Sequence, residues 1–250
     1  MRELALRLVS VVCALAAWTA LSRYLPDDLF PGPLAASTAL LENIANGSVF
    51  KHLGITMLRV AGGLLIAMVI GAPLGILMGL SRLAEKTLDI WVMIALAVPS
   101  LCYGLVCFIV LGLNEWAAVV AIGLTGAPSI TVNIWEGVKN IDARLLQMAQ
   151  AFRANRWLVL YRVVLPQVLP YVMASLRFGL GVIWKIAVLI ELLGRPDGVG
   201  FQLYYWYQLA DMRQVLAWTL LFTLVMLFIE LVLFKVLERR LFAWRPTVSA

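Results

Sequence analysis

Apolar runs long enough to cross a lipid bilayer recur along this 250-residue chain, and they restrict it to folds that satisfy their own backbone inside a membrane. Charged residues make up 14% of the chain and hydrophobic residues 63%, whereas soluble domains carry about 25% charged residues. A helix of about 20 apolar residues crosses a bilayer core of about 30 Å. We therefore predict an all-α membrane protein that forms one domain over residues 1–250, with about six spans. Their approximate bounds are 6–24, 55–80, 88–112, 115–136, 170–194 and 214–237.

The positions of Lys and Arg predict the orientation of these spans. Most of the 20 basic residues fall on one side if the N-terminus is cytoplasmic, and cytoplasmic loops are enriched in Lys and Arg. Both termini and the loop 138–169 are then cytoplasmic, and segment 27–53 forms a short interfacial or extracytoplasmic helix. The net charge of +6 thus reflects topology. No basic stripe with interleaved aromatic residues indicates a nucleic-acid partner.

The chain lacks the sequence motifs of common catalytic and nucleotide-binding sites. No phosphate-binding loop G-x-x-x-x-G-K-[ST], no H-E-x-x-H and no G-x-S-x-G occurs in it. The single histidine, His52, has no partner at metal-ligand spacing, and the three cysteines lie in apolar runs. We therefore predict no catalytic residue, no metal and no cofactor in this chain.

Charged residues at membrane depth are candidates for function, because such residues are expensive in a bilayer. They are Arg177, Lys185, Glu191 and Glu230. Arg177 and Glu230 lie at similar distances from the inner ends of antiparallel spans, so we predict a structural ion pair between them. Glu191 lies about 240° around the helix from Lys185, which leaves Lys185 without a partner at its own depth.

A translocation path through the spans is predicted to include Lys185, Glu191, Pro99 and Ser100. Pro99 interrupts its helix in mid-span beside a hydroxyl group, which favours a gate at this point. Lys185 is free to face a water-filled path, where a passing negative charge would offset the cost of an uncompensated cation.

Small residues recur every four positions along the second predicted span, at Gly71, Gly75 and Gly79. Apolar helices gain no hydrophobic energy by associating within lipid, so their packing depends on close approach of the backbones. The glycine ladder therefore predicts a close helix–helix contact, with a flexible gate as the alternative.

An amphipathic, Arg-bearing segment lies between long apolar runs in the loop 138–169. It comprises Gln147-Met148-Ala149, Phe152-Arg153 and, further on, Val163 and Leu165-Pro166. A polar helix between membrane spans must lie in water, so a soluble partner is expected to dock there. The segment resembles the "EAA" loop of binding-protein-dependent ATP-binding-cassette (ABC) importer permeases. That pattern is Glu-Ala-Ala, three residues, Gly, nine residues, Ile, one residue and Leu-Pro.

The spacing of the loop pattern is kept, but Gln147, Met148 and Arg153 replace its Glu, its first Ala and its Gly. The resemblance implies that Gln147, Met148, Ala149, Phe152, Arg153, Leu165 and Pro166 couple the chain to an ATPase. Ala149 would permit close approach, and Phe152 would be the apolar anchor. Arg153 resists a positive φ, so we expect the turn that glycine makes in the family to be absent or shifted to Ala154-Asn155.

Several further runs are similar to the nitrate/sulfonate/taurine branch of these permeases. They are Gly63–Arg82, the loop Arg144–Pro170, Leu189–Gly194 followed by Gly198-Val199-Gly200, and Leu237–Arg245. The resemblance implies an inner-membrane subunit that pairs with a second permease, as a homodimer or with a paralogue. It also implies two ATPase subunits, which hold ATP and Mg²⁺, and an extracytoplasmic binding protein.

The resemblance and Lys185 together favour a small anion as substrate, of the sulfonate, nitrate or carboxylate type. A vitamin precursor or another non-anionic solute is the alternative within the same family. A non-transporting membrane scaffold is the alternative from another class, although it leaves the polar loop unexplained. A secondary transporter would show repeats and midplane carboxylates, and a membrane enzyme would need a cluster of reactive side chains. The sequence shows neither.

Overall fold

The computed structural model describes residues 2–26 and 28–236, and it contains no β-strand within them. The helices are α1 (Arg2–Tyr24), α2 (Pro33–Ala45), α3 (Ser48–Leu80), α4 (Arg82–Ala97), α5 (Ser100–Leu111), α6 (Glu115–Lys139), α7 (Ala143–Ala151), α8 (Arg156–Val159), α9 (Leu165–Gly194), α10 (Val199–Gln208) and α11 (Met212–Phe228). Two π-helical segments, Leu160–Val164 and Ile229–Phe234, precede α9 and follow α11. The all-α prediction is confirmed. The C-terminal run Leu237–Arg245 of the family resemblance lies outside the described residues.

Within the described residues, three helices are long and apolar enough to cross a membrane: α3, α6 and the continuous helix Met212–Phe234. The pair α4 and α5 counts as a fourth span if the two are taken together. Two more predicted spans fall on α1, whose apolar part Leu8–Tyr24 is shorter, and on α9, which carries three charged residues. The helices of the structure therefore agree with the prediction of a membrane protein, while the count of six spans stays a prediction.

The predicted span 88–112 is not one straight helix. The axes of α4 and α5 are bent by 90° at Val98-Pro99. Val98 is extended, with φ −69° and ψ 124°, because the proline ring disfavours a helical conformation in the preceding residue. Pro99 has no backbone N–H and is the N-cap of α5, which begins at Ser100. The proline thus breaks the span sharply, where the sequence alone indicated only an interruption.

The chain divides into two compact packing units. Among the described residues, one unit comprises those up to Thr56 together with Pro196–Phe228, and the other comprises Met57–Arg195 together with residues 229–236. The core of the first unit is formed by Ala39, Leu40, Val49, Val199, Ala217, Trp218 and Leu221. These residues come from α2, α10, α11 and the start of α3. Helix α10 was not anticipated from the sequence.

The second unit is built around α6, which packs against α4, α5 and α9. The glycine ladder of α3 also faces α6. A Cβ atom would lie 2.8 Å from the carbonyl oxygen of Ala127 at Gly71, and 2.6 Å from that of Thr131 at Gly75. At Gly79 it would lie 2.5 Å from the Cβ of Val138. The predicted close contact of backbones is therefore confirmed.

Candidate functional site

A cavity of about 330 Å³ opens where the broken span meets α6 and α9. Ser100, the first residue of α5, lines it together with Thr125 and Ser129 of α6 and Lys185 of α9. Its other walls are apolar and include Leu96, Val98, Val182 and Ile186. The bend at Val98-Pro99 creates this arrangement, because the residues on both sides of Pro99 reach the cavity. Pro99 itself is not among the lining residues.

The polar side chains of the cavity differ in whether they already form a hydrogen bond or an ion pair within the chain. Thr125 donates its hydroxyl hydrogen to the carbonyl oxygen of Ala121, at 2.7 Å. Within residues 2–26 and 28–236, the hydroxyls of Ser100 and Ser129 donate no hydrogen bond, and Lys185 forms no ion pair. The cavity thus presents one cation and two hydroxyl donors that remain available.

Glu191 does not line this cavity, although the sequence analysis placed it in the translocation path. Its side chain is fully buried and accepts a 2.8 Å hydrogen bond from Nη1 of Arg59. An ionised carboxylate at such a depth needs a cation and hydrogen-bond donors around it, and Arg59 provides both. Arg59 is itself only 1% exposed. The environment of Glu191 is therefore that of a structural ion pair.

Arg59 and Glu191 belong to a four-residue ion cluster that also contains Glu115 and Arg195. Glu115 accepts two 2.8 Å bonds from Nε and Nη2 of Arg59, which is a bidentate pairing. The guanidinium of Arg195 contacts the same Glu115 carboxylate, and it also donates to the carbonyl oxygen of Leu113 at 3.2 Å. The ion cluster connects α3, α6 and the end of α9.

Sequence reasoning missed the ion cluster, although a usable signal was present. Arg59 lies near the start of the second predicted span, and Glu191 lies near the end of the fifth. Antiparallel spans bring these two ends to the same side of the membrane. The same comparison of depths predicted the pair of Arg177 and Glu230, and that contact is present. Nε of Arg177 donates to Oε1 of Glu230 at 2.6 Å, and the Arg177 guanidinium lies 5.9 Å from the centre of the Phe234 ring.

The turn in the loop 138–169 occurs at Arg153, which corrects the expectation that arginine would displace it. Arg153 has a φ of +49°, and α7 ends immediately before the turn. The N–H of Ala154 donates to the carbonyl oxygen of Ala149 at 2.9 Å, as in a Schellman C-terminal motif. A left-handed non-glycine residue costs about 1–2 kcal/mol. The helix-closing hydrogen bond offsets part of this cost, so the turn keeps its place without a glycine.

Helix α7 and Phe152, the residue directly after its end, expose an apolar face that also contains Leu145 and Met148. These residues are three and four positions apart and therefore lie on one side of the helix. Phe152 is 80% exposed and Met148 is 50% exposed. Gln147 is also exposed. Ala149, by contrast, is buried within the chain. Its small side chain packs within the chain, and its role in close approach to a partner stays a prediction.

A second exposed apolar set follows the turn and was not singled out in the sequence. Trp157, Leu158 and Tyr161 are each more than half exposed, and the rings of Trp157 and Tyr161 stack with centroids 6.4 Å apart. Leu165 is half-exposed, and Pro166 is partly buried in the first turn of α9. A proline is tolerated there because the first turn needs no backbone N–H donor. Within the described ranges, no group of three or more His, Cys, Asp or Glu residues could hold a metal ion.

Comparisons with known proteins agree with this architecture. Residues 71–243 match the family model described as "Binding-protein-dependent transport system inner membrane component". The taurine transport system permease protein TauC of Escherichia coli is 30% identical over 93% of this chain and 86% of its own length. The putative aliphatic sulfonates transport permease protein SsuC of Bacillus subtilis is 29% identical over 87% of this chain and 78% of its own length.

A solved structure has the same fold. The MetNI methionine ABC transporter, in inward-facing conformations, contains a chain that superposes with a TM-score of 0.63 at 20% identity. The match covers 76% of this chain and 92% of that chain. The model match spans well over half of the sequence, and the relatives agree with the branch that the sequence resembles. The chain therefore belongs to the family of binding-protein-dependent transport system inner membrane components.

Proposed function

We propose that this chain is the permease subunit of an ATP-driven importer, and that its one permease domain over residues 1–250 carries a small anion across the inner membrane. The observation that carries the choice of an anion is Lys185, a cation exposed in a cavity with apolar walls. A cation in a low-dielectric path is easier to keep if a passing anion offsets its charge. The taurine and sulfonate permeases among its relatives support the same class of substrate.

Energy for transport would come from a separate ATPase, because the sequence contains no phosphate-binding loop. The exposed face of Leu145, Met148 and Phe152 would dock into a groove of that ATPase. An amphipathic helix that lays apolar residues three and four positions apart into a groove is a common mode of recognition. Two ATPase subunits holding ATP and Mg²⁺, a second permease and an extracytoplasmic binding protein would complete the importer.

Substituting Phe152 with alanine should lower ATP-driven uptake and leave delivery of the substrate by the binding protein unchanged. Truncating a largely exposed aromatic anchor removes a few kcal/mol from an interface, so we expect ATPase affinity to fall at least tenfold. The complex, co-expressed with the ATPase and binding protein of neighbouring genes, would be assayed in proteoliposomes for uptake of labelled ethanesulfonate, nitrate and benzoate, with glucose as a neutral solute and choline as a cationic one.

Phe50→Ala is the matched control for this experiment, since Phe50 is 69% exposed at the start of α3 and lies on the predicted extracytoplasmic side. It should leave ATPase binding intact. Unchanged assembly and uptake in Phe152→Ala would remove α7 from the coupling mechanism. Uptake of only neutral or cationic solutes by the wild-type complex would favour a permease for non-anionic compounds. No ATP-dependent uptake of any solute would favour the scaffold.

The orientation proposed here places both termini and α7 in the cytoplasm, on the basis of Lys and Arg placement. In a variant without its natural cysteines, Ser48→Cys should react with a membrane-impermeant maleimide in intact cells. Gln147→Cys, on the exposed surface of α7, should react only after permeabilisation. Labelling of Gln147→Cys from outside intact cells would contradict the orientation.

A further inference from the structure

We propose that Lys185, Ser100 and Ser129 form an oxyanion-binding subsite inside the permease, where the solute stops on its way through the membrane. The proposal rests on the proposed function, since it assigns the group of the substrate that the path recognises. Sulfonates, carboxylates and nitrate share this chemistry: several oxygen atoms that carry a delocalised negative charge and accept hydrogen bonds.

The three side chains come from three different helices and reach one cavity. Ser100 begins α5, Ser129 lies on α6 and Lys185 lies on α9. Their donors are complementary to an oxyanion, since the lysine supplies charge and up to three N–H donors, and each hydroxyl supplies one O–H donor. Hydrogen bonds to ionised acceptors are roughly twice as strong as those between neutral groups. The convergence of helices thus provides both the charge and the directed donors that an oxyanion requires.

Within the described part of the chain, no carboxylate competes for Lys185 in this cavity. Among its lining residues none is acidic, and Glu191, the nearest acid along α9, is engaged by Arg59. The apolar walls formed by Leu96, Val98, Val182 and Ile186 weaken screening of the lysine charge. A visiting oxyanion is therefore the natural counter-ion for this ammonium group.

Thr125 shares the cavity but differs from the two serines. Its hydroxyl hydrogen is directed to the carbonyl oxygen of Ala121, so the side chain offers only acceptor lone pairs to a ligand. An anion gains nothing from such an acceptor. Thr125 is therefore outside the subsite, and the chain supplies a matched control on the same helix and in the same cavity as Ser129.

The volume of the cavity and its apolar walls determine which kind of oxyanion can bind. A volume of about 330 Å³ is at the low end of small-molecule sites, which span about 300–1,000 Å³. The head group would contact Lys185 and the serines, and a short organic part would contact the apolar walls. Both ethanesulfonate and nitrate are expected to bind, and ethanesulfonate more tightly because it also buries apolar surface.

The test measures ligand binding by the permease–ATPase complex in nanodiscs, without the binding protein. Sodium ethanesulfonate and sodium nitrate would be titrated calorimetrically at constant ionic strength maintained with sodium chloride. We expect Lys185→Met to weaken the Kd for both probes at least tenfold and Ser129→Ala to weaken it about fivefold. Thr125→Val should change it less than twofold, and Lys185→Arg should retain most of the affinity.

Equal affinity for the probes in wild type and Lys185→Met would overturn the proposed subsite. It would also be overturned if Thr125→Val weakened the affinity as much as Ser129→Ala does. Absence of binding by the wild-type complex would also overturn it. If Lys185→Met fails to assemble with the ATPase, Ser129→Ala and Thr125→Val still decide the question. Unchanged KM for ethanesulfonate uptake in Lys185→Met removes the subsite alone, whereas wild-type transport restricted to neutral or cationic solutes removes the proposed function.

Discussion

Arg59→Met is expected to destabilise the protein by about 3–5 kcal/mol, the range measured when one partner of a buried ion pair is removed. The substitution leaves Glu191 fully buried without its cation, and it also removes the bidentate partner of Glu115. Reversible unfolding in mixed micelles measures the free energy. The double variant Arg59→Met/Glu191→Leu should be more stable than the sum of the two single changes implies, because neither charge then remains buried alone.

Arg213→Met provides a matched control for that experiment. Arg213 also pairs with a carboxylate, that of Glu42 at 2.6 Å, but the two side chains are 41% and 60% exposed. Exposed ion pairs contribute about 0–1 kcal/mol, so this substitution should have little effect. If Arg59→Met lowers the free energy of unfolding no more than Arg213→Met does, the ion cluster is not essential to the fold.

Gly75→Ala should destabilise the chain by about 1–3 kcal/mol, as overpacking of a well-packed contact does. The added Cβ would lie 2.6 Å from the carbonyl oxygen of Thr131 and 3.0 Å from the backbone nitrogen of Trp135. Both neighbours are backbone atoms of α6, so relief requires α3 and α6 to separate. The same unfolding measurement tests this expectation, together with the yield of correctly assembled complex.

Gly54→Ala is the control on the same helix, where no atom of the described residues lies within 4 Å of the added Cβ. Alanine is favoured over glycine within a helix by about 0.5–1 kcal/mol, so Gly54→Ala should be neutral or stabilising. Equal effects at positions 54 and 75 would contradict the assignment of the glycine ladder to a close backbone contact.

Features that depend on composition and spacing could be predicted from the sequence. The apolar runs required helices because lipid offers the backbone no other partner. Gly71, Gly75 and Gly79 indicated a close contact because only small residues permit it. The pair of Arg177 and Glu230 followed from equal depth in antiparallel spans. Each of these inferences uses only the composition of a segment or the positions of residues along the chain.

Features that depend on tertiary context were missed. The sequence marks Pro99 as an interruption but does not give the 90° bend, because the angle depends on what α4 and α5 pack against. Glu191 was assigned to the path as one of the few charged residues at membrane depth, and its ion pair with Arg59, 132 residues away in sequence, was not anticipated. Arg153 was expected to avoid a positive φ. That preference is worth only about 1–2 kcal/mol, and helix-closing contacts can override it.

The ion cluster also has a consequence for biosynthesis, since its members enter the membrane at different times. Arg59 precedes Glu191 by 132 residues, which at about 5–20 residues per second is a delay on the order of ten seconds. Glu115 follows Arg59 by only 56 residues and binds the same guanidinium. The earlier carboxylate can therefore neutralise Arg59 while α9 is still being synthesised. Arrival of Glu191 then completes the pairing within a bundle whose α3 and α6 are already inserted.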